Sequence, residues 1–210
     1  MADRLTLEAI CRTALELADS DGIDRLSMRR VAAGLGVSPM ALYGHVATKE
    51  ELLERITDLA LDEIEVRAST SPDWKVNAVA LMQQLRESLL RHPAVVRIVS
   101  QRWIASQSIG LARLLEHVLQ VLHSGLDTDE AVDEAFALLY KYTFGYVAFE
   151  LPRGTVRRRG LESVAQARGF TNLERHAEGF SAALASEQFT SGALALLAGI
   201  ESRARATAAT

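Results

Sequence analysis

The stretch SPMALYGHVATKEEL, residues 38–52, packs many polar groups into a short span. Ser38 and Thr48 carry hydroxyls, Tyr43 a phenol, His45 an imidazole and Lys49 an ammonium. Pro39, Met40, Ala41 and Gly44 leave the spaces between them open. Ser27, Arg29 and Arg30 lie shortly upstream. These groups donate hydrogen bonds and positive charge, which is the chemistry of holding an anion. The net charge of the chain is −4, yet residues 25–49 hold Arg25, Arg29, Arg30 and Lys49 and no acid. The flanks differ: residues 1–24 sum to −4, and residues 50–66 set seven acids against Arg55. A short positive window between acidic helices is an anion-facing surface in outline.

Bond-breaking chemistry has no comparable cluster. The histidines, at positions 45, 92, 117, 123 and 176, show no metal-ligand spacing with acids or cysteine. His117 and His123 are six apart and so point to different faces of a helix. There is no G-x-S-x-G elbow, no phosphate-cradling glycine loop and no dinucleotide fingerprint. No catalytic residue, metal or cofactor is expected, and the chain does not read as an enzyme. Cys11 is the one cysteine, which rules out an internal disulfide and suits a reducing cytoplasm. No run approaches the roughly 18 uncharged apolar residues of a membrane span, and the N-terminus lacks a signal-peptide core. A cytoplasmic location without a membrane partner is the expectation.

The elements that must position these groups are helices. With 49% hydrophobic and 24% charged residues the chain has an ordinary globular composition, and no strand pattern stands out. Leu7, Ile10, Cys11, Ala14, Leu15 and Ala18 make one apolar stripe over a helix from about Thr6 to Ser20. Cys11 on that stripe reads as a small buried hydrophobe. Gly22 suits a left-handed cap, Ser27 caps a helix MRRVAAGL, and Gly34 and Gly36 bracket a tight turn. Ser38 caps the next helix with Pro39 at its first position. Thr48 and Glu51 form a capping box for a helix running to about Ile64.

RASTSPD, residues 67–73, breaks the periodicity and marks a boundary between 1–66 and 67–210. Helices are expected over 73–91, in short pieces over 94–105, and over 107–123, 127–151, 171–185 and 187–204. The arginine-rich segment 151–169 reads as a solvated connector, and the tail after Arg205 as frayed. The helices 127–151 and 187–204 carry apolar residues on more than one face.

Two short helices joined by a glycine turn have the form of a helix-turn-helix, whose second helix enters the DNA major groove. Ser38, Pro39, Met40 and Ala41 would lead that helix in, Tyr43 and His45 would reach phosphates or bases, and Leu42 and Val46 would face inward. Arg29, early in its helix, would reach phosphate or a base edge. Lys49 sits at a helix N-terminus, which itself attracts phosphate.

GIDRLSMRRVAAGLGVSPMALYGHVATKEELLERI, residues 22–56, resembles the DNA-binding module of the tetracycline-repressor (TetR) family. The resemblance rests on Gly22, the Ser-x-Arg of 27–29, VAAGLGVS, the Leu-Tyr-x-His-Val of 42–46 and Lys49. It implies an all-α protein with an N-terminal three-helix helix-turn-helix domain and a C-terminal helical-bundle domain for ligand binding and dimerisation. It implies operator DNA contacts from Arg29, Tyr43, His45 and Lys49, with Ser27 and Ser38 as phosphate partners. Gly44 departs from a position that is often aromatic in the family. From residue type and position alone, Pro39, Met40 and Arg30 join the expected DNA-binding set.

The expected function is a homodimeric repressor released from a palindromic operator by a small-molecule effector. An activator of the same family and a helical ligand-binding protein without a DNA role are the alternatives. By family analogy the helices 127–151 and 187–204 pair with their symmetry mates in a four-helix bundle. Residues 91–103 lack the metal-binding histidine of tetracycline repressors, so tetracycline–magnesium is not the expected effector. Trp103, Gln107, His117, Tyr140 and Phe144 are expected to line the effector pocket.

Overall fold

The computed structural model describes residues 5–67, 69–101, 107–151, 168–176 and 188–208, and among them there is no strand. The chain forms α1 (Leu7–Asp21), a 3-10 turn (Ile23–Arg25), α2 (Met28–Gly34), α3 (Pro39–Tyr43) and α4 (Lys49–Asp62). It continues with α5 (Trp74–Arg91), α6 (Pro93–Gln101), α7 (Ile109–His123), α8 (Asp129–Glu150) and α9 (Phe189–Ala208). Residues 171–176 are also helical.

Each of the first four helices starts where a side-chain oxygen replaces the missing backbone acceptor. Thr6, Ser27, Ser38 and Thr48 accept from the N–H groups of Ala9, Arg30, Ala41 and Glu51. Gly22 ends α1 at φ 88°, and its N–H returns to the Ala18 carbonyl. Ile10, Leu42, Val46, Leu52 and Ile56 are fully buried together in the core of this module. Cys11 is buried with them, and burial pushes its thiol pKa up, as expected of a packing residue rather than a reactive one.

The C-terminal half is organised around α5, which packs against α7, α8 and α9. Met82, Leu85, Leu89, Leu114, Leu139 and Leu197 are fully buried in it. Arg86 is buried too, paired with Glu150 and stacked beneath the Tyr146 and Phe189 rings at 5.7 and 5.5 Å. A buried guanidinium needs such a partner, since an unpaired one would carry a large desolvation penalty. Lys75 of α5 reaches Glu201 of α9 at 2.9 Å. That ion pair raises the lysine pKa and lowers that of the glutamate.

The helices expected from 107, 127 and 187 start two residues later, and two helix ends also differ from expectation. α4 stops at Asp62 rather than Ile64, although Ile64 stays buried. α9 continues to Ala208 instead of fraying at Arg205, held there by an Arg205–Glu201 pair at 2.6 Å and a Thr207-to-Arg203 hydrogen bond at 3.1 Å. The expected helix over 171–185 is seen at 171–176, and its remainder falls outside the described residues, as does most of the arginine-rich connector.

The two halves meet where the end of α4 touches the start of α7. One Asp62 oxygen accepts from the Ser108 hydroxyl at 2.7 Å and from the Gly110 N–H at 2.9 Å. Asp58 accepts from the Gln107 N–H at 3.0 Å. A Cβ added at Gly110 would lie 2.5 Å from the Leu61 carbonyl oxygen, so the two backbones approach as closely as they do only through glycine.

Candidate nucleic-acid interface

α2 and α3 are joined by a turn that glycine makes accessible. Gly36 sits at φ 67°, in the left-handed region, and Val37 N–H returns to the Ala32 carbonyl at 3.0 Å. Gly34 lets α2 lie against α1, since a Cβ there would meet the Thr13 methyl at 3.1 Å. These contacts fix the angle at which α3 leaves α2.

α3 has only five residues, and its two sides differ completely. Leu42 and the following Val46 are 0% exposed, and their packing fastens the helix to the module. On the other side Met40 is 77% exposed and Tyr43 48%, with Pro39, Ala41, Gly44 and His45 also exposed. An exposed methionine and half-exposed tyrosine on a helix this short form no part of the core. Gly44 has φ −72° and room for a Cβ, so no backbone strain requires glycine here.

The chain then re-enters a helix within five residues. Thr48 accepts from Glu51 N–H at 3.0 Å, and the Glu51 carboxylate reaches back to Ala47 N–H at 2.8 Å. This capping box orients the N-terminus of α4, with Lys49 as its first residue. Glu51 is tied into that cap and bonds Arg55 at 3.5 Å. It does not ion-pair with Lys49, which has no ion-pair partner among the described residues, and neither has Arg29.

Arg30 is placed differently from the rest of the expected set. Its guanidinium is paired with Asp21 at the end of α1. It therefore ties α2 to α1, while Arg29 stays exposed. Ser27 and Ser38 spend their oxygens as acceptors for their own helices, which leaves each hydroxyl hydrogen to donate elsewhere.

Two of the expected effector residues are in contact. Tyr140 and Phe144 pack on each other with ring centroids 4.6 Å apart, extended by Phe136 at 6.2 Å from Tyr140. Burial raises the Tyr140 phenol pKa. Gln107 is exposed and uses its N–H on Asp58. His117 is exposed, with Nδ1 2.7 Å from the Arg113 carbonyl of its own helix. His117 lies on the outer side of α7 once Leu114 and Val118 are buried, and Gln107 precedes the Ser108 cap of that helix. Trp103 lies outside the described residues. An open groove of about 530 Å³ beside Trp74, Gly125, Glu201 and Arg205 includes none of these five.

Sequence reading missed Asp21 as the partner of Arg30, and Asp62 with Ser108 and Gly110 as the joint between the halves. A serine immediately before a helix offers a cap signal at Ser108. Nothing local marks the two aspartates, whose partners lie 9 and 46 residues away.

The whole-chain comparisons agree with this geometry. A family model described as bacterial regulatory proteins, tetR family, matches residues 10–56, across α2, the glycine turn and α3. A second, described as tetracyclin repressor-like, C-terminal domain, matches residues 68–204. The chain belongs to the TetR family. This is a family of transcription regulators, not of enzymes.

An HTH-type transcriptional regulator of Saccharopolyspora erythraea is 34% identical over 146 residues, 70% of this chain and 61% of that one. The HTH-type transcriptional repressor DrrR1 of Streptomyces coeruleorubidus is 32% identical over 161 residues, 74% of this chain and 57% of its own. The matches thus span about three-fifths of these relatives' lengths. Among solved structures, apo ActR of Streptomyces coelicolor superposes with a TM-score of 0.80 at 27% identity. It covers 98% of this chain and 99% of its own. ActR has also been solved with actinorhodin, with a TM-score of 0.79 at 27% identity over 96% and 99% of the two chains.

Proposed function

We propose that this TetR-family regulator is a homodimeric repressor whose two α3 helices read consecutive major grooves of a palindromic operator. The half-sites would lie about one helical turn, roughly 34–36 Å, apart. The observation that carries this reading is the two-sided α3, which buries Leu42 and Val46 and turns Met40, Tyr43 and His45 outward. Pro39, Met40 and Ala41 are the base-facing residues. Arg29, Tyr43, His45 and Lys49, with the hydroxyls of Ser27 and Ser38, hold phosphate. Arg30 contributes by bracing α2 through Asp21 rather than by touching DNA.

Residues 1–66 form the DNA-binding domain and 67–210 the effector-binding and dimerisation domain. The described residues between Asp62 and Trp74, which are not helical, support that division. In the C-terminal domain α8 and α9 pair with their copies, and a small-molecule effector is bound beside the Tyr140–Phe144 face of α8. The ligand-bound ActR supports an effector-binding role for this half, and the repressor DrrR1 favours repression over activation. Effector binding lowers operator affinity to the extent that the effector prefers the dimer with its α3 helices misplaced.

The test is selection of DNA from a random duplex pool by the purified protein. A palindromic consensus with half-sites one turn apart is expected, bound at least a thousandfold more tightly than random duplex. Tyr43→Ala with Lys49→Ala should abolish the selection. Enrichment of no consensus at moderate salt would defeat the reading. A reporter downstream of the selected site, silenced by the gene, separates repression from activation.

A further inference from the structure

His92, in the turn between α5 and α6, stands between two carboxylates from the other half of the molecule. Its Nδ1 is 2.9 Å from Asp19 of α1, and its Nε2 is 3.2 Å from Glu63, just past α4. The second Asp19 oxygen accepts from the Ala94 N–H at 3.0 Å, at the start of α6. Asp19 therefore spans a side chain and a backbone group of the same turn. The His92 side chain is only 16% exposed.

Pro93 follows His92 and holds it out of the helical region, at φ −122° and ψ 72°. The imidazole is thereby presented sideways instead of continuing α5. Arg97 of α6 pairs with Asp24 at 3.0 Å, Asp62 is bound to the start of α7, and Arg91 is exposed.

The count of donors decides what this arrangement prefers. An imidazolium has two N–H donors, one for each carboxylate. A neutral ring has one donor, so its other nitrogen would point a lone pair at a carboxylate. We propose that His92 is a protonation-sensitive clasp between the N-terminal helices and the C-terminal half, closed by the imidazolium and loosened when the ring is neutral. The hydrogen bond to Asp19, opposed by burial and helped by Glu63, raises the ring's pKa above 6.5. A raised folded-state value means the clasp's contribution is complete below 6.5 and is lost as pH rises through the folded value. The clasp thus loosens at a higher pH than the one at which an ordinary histidine loses its proton. Its bearing on DNA rests on the function proposed above, but the clasp itself does not.

The test uses the full chain. Histidine NMR gives the His92 titration, and hydrogen exchange gives the protection of the Ala94 amide, corrected for the intrinsic pH dependence of exchange. The ring should titrate above 6.5. Ala94 protection should fall through that titration by at most about tenfold per pH unit, the limit for one proton. Asp19→Asn should lower the titration, Glu63→Gln should lower it less, and His92→Gln should give corrected protection that is flat with pH. The Gly110 amide, held by Asp62, should stay flat in all of them.

A ring titrating at or below 6.5 would overturn the clasp, and so would Ala94 protection that ignores the titration. Gly110 and Ala94 losing protection together would indicate general unfolding and would also overturn it. If His92→Gln does not fold, the Glu63→Gln titration still decides. Failure to select DNA leaves all of these readings intact and defeats only the proposed function.

Discussion

The helices before residue 63 and those after residue 73 solve different problems. In the first group, helices of 5 to 15 residues begin at a capping hydroxyl and lie close to one another in sequence. Each cap contributes about 1 kcal/mol, which matters most where a helix is too short to be stable alone. In the second group α5, α8 and α9 run 18, 22 and 20 residues. Their defining polar contacts reach across 64 and 126 positions, from Arg86 to Glu150 and from Lys75 to Glu201. On the function proposed above, the half that presents fixed side chains to DNA is built by local rules, and the half that binds an effector by long-range packing, which offers more ways to rearrange.

The largest effect should come from undoing the fastening of α3. Leu42 is 0% exposed, and Leu42→Ala should cost roughly 2–5 kcal/mol of stability, read by denaturant unfolding. A cost under about 1 kcal/mol would mean that α3 is held by something other than its buried face. Next is the joint between the halves. Gly110→Ala places a Cβ against the Leu61 carbonyl and the Asp62 backbone, at 2.5 and 2.8 Å, with no flexible side-chain end to yield. It should destabilise by about 1–3 kcal/mol in thermal melting. If it melts like the wild type, the halves are not in contact there in solution, and the comparison becomes one between independent bodies.

The same contrast explains what could be read from sequence. Ser27, Ser38 and Thr48 act on N–H groups three residues on, so each of these caps, the glycine turn and the buried pair Leu42 and Val46 were legible. The α8 stripe expected of Val132, Ala135, Phe136, Leu139, Thr143, Tyr146 and Val147 was legible for the same reason; Phe136 and Tyr146 are half-buried and the other five buried. The pairing of Arg30 was not, because its partner Asp21 belongs to another helix. Nor was the exposure of His117, since periodicity gives a helix two faces without saying which neighbour covers either. Tyr140 and Phe144 came together because they are four residues apart on one helix, a local fact again.

A smaller effect tests the cap that aims α4. Thr48→Ala removes the acceptor for Glu51 N–H and should cost about 1 kcal/mol, whereas Thr48→Ser should be nearly silent. If the cap matters only for stability, DNA affinity measured well below the melting temperature will be unchanged. If it also aims Lys49, affinity will fall with the alanine and return with the serine.

The smallest change, and the most specific, is in salt dependence. Each phosphate neutralised contributes about 0.9 to the slope of log affinity against log salt. Arg29→Ala and Lys49→Ala should each lower that slope by about this amount, measured by anisotropy on the selected duplex. Arg30→Ala should leave the slope unchanged, because its guanidinium is engaged by Asp21, though it loosens α2 from α1. Three neighbouring cations would then divide by what they touch rather than by charge, which all three share. An Arg30→Ala slope that drops like the other two would show that the Asp21 pair opens when DNA binds. In that case even the N-terminal half, built by local rules, rearranges to meet its partner.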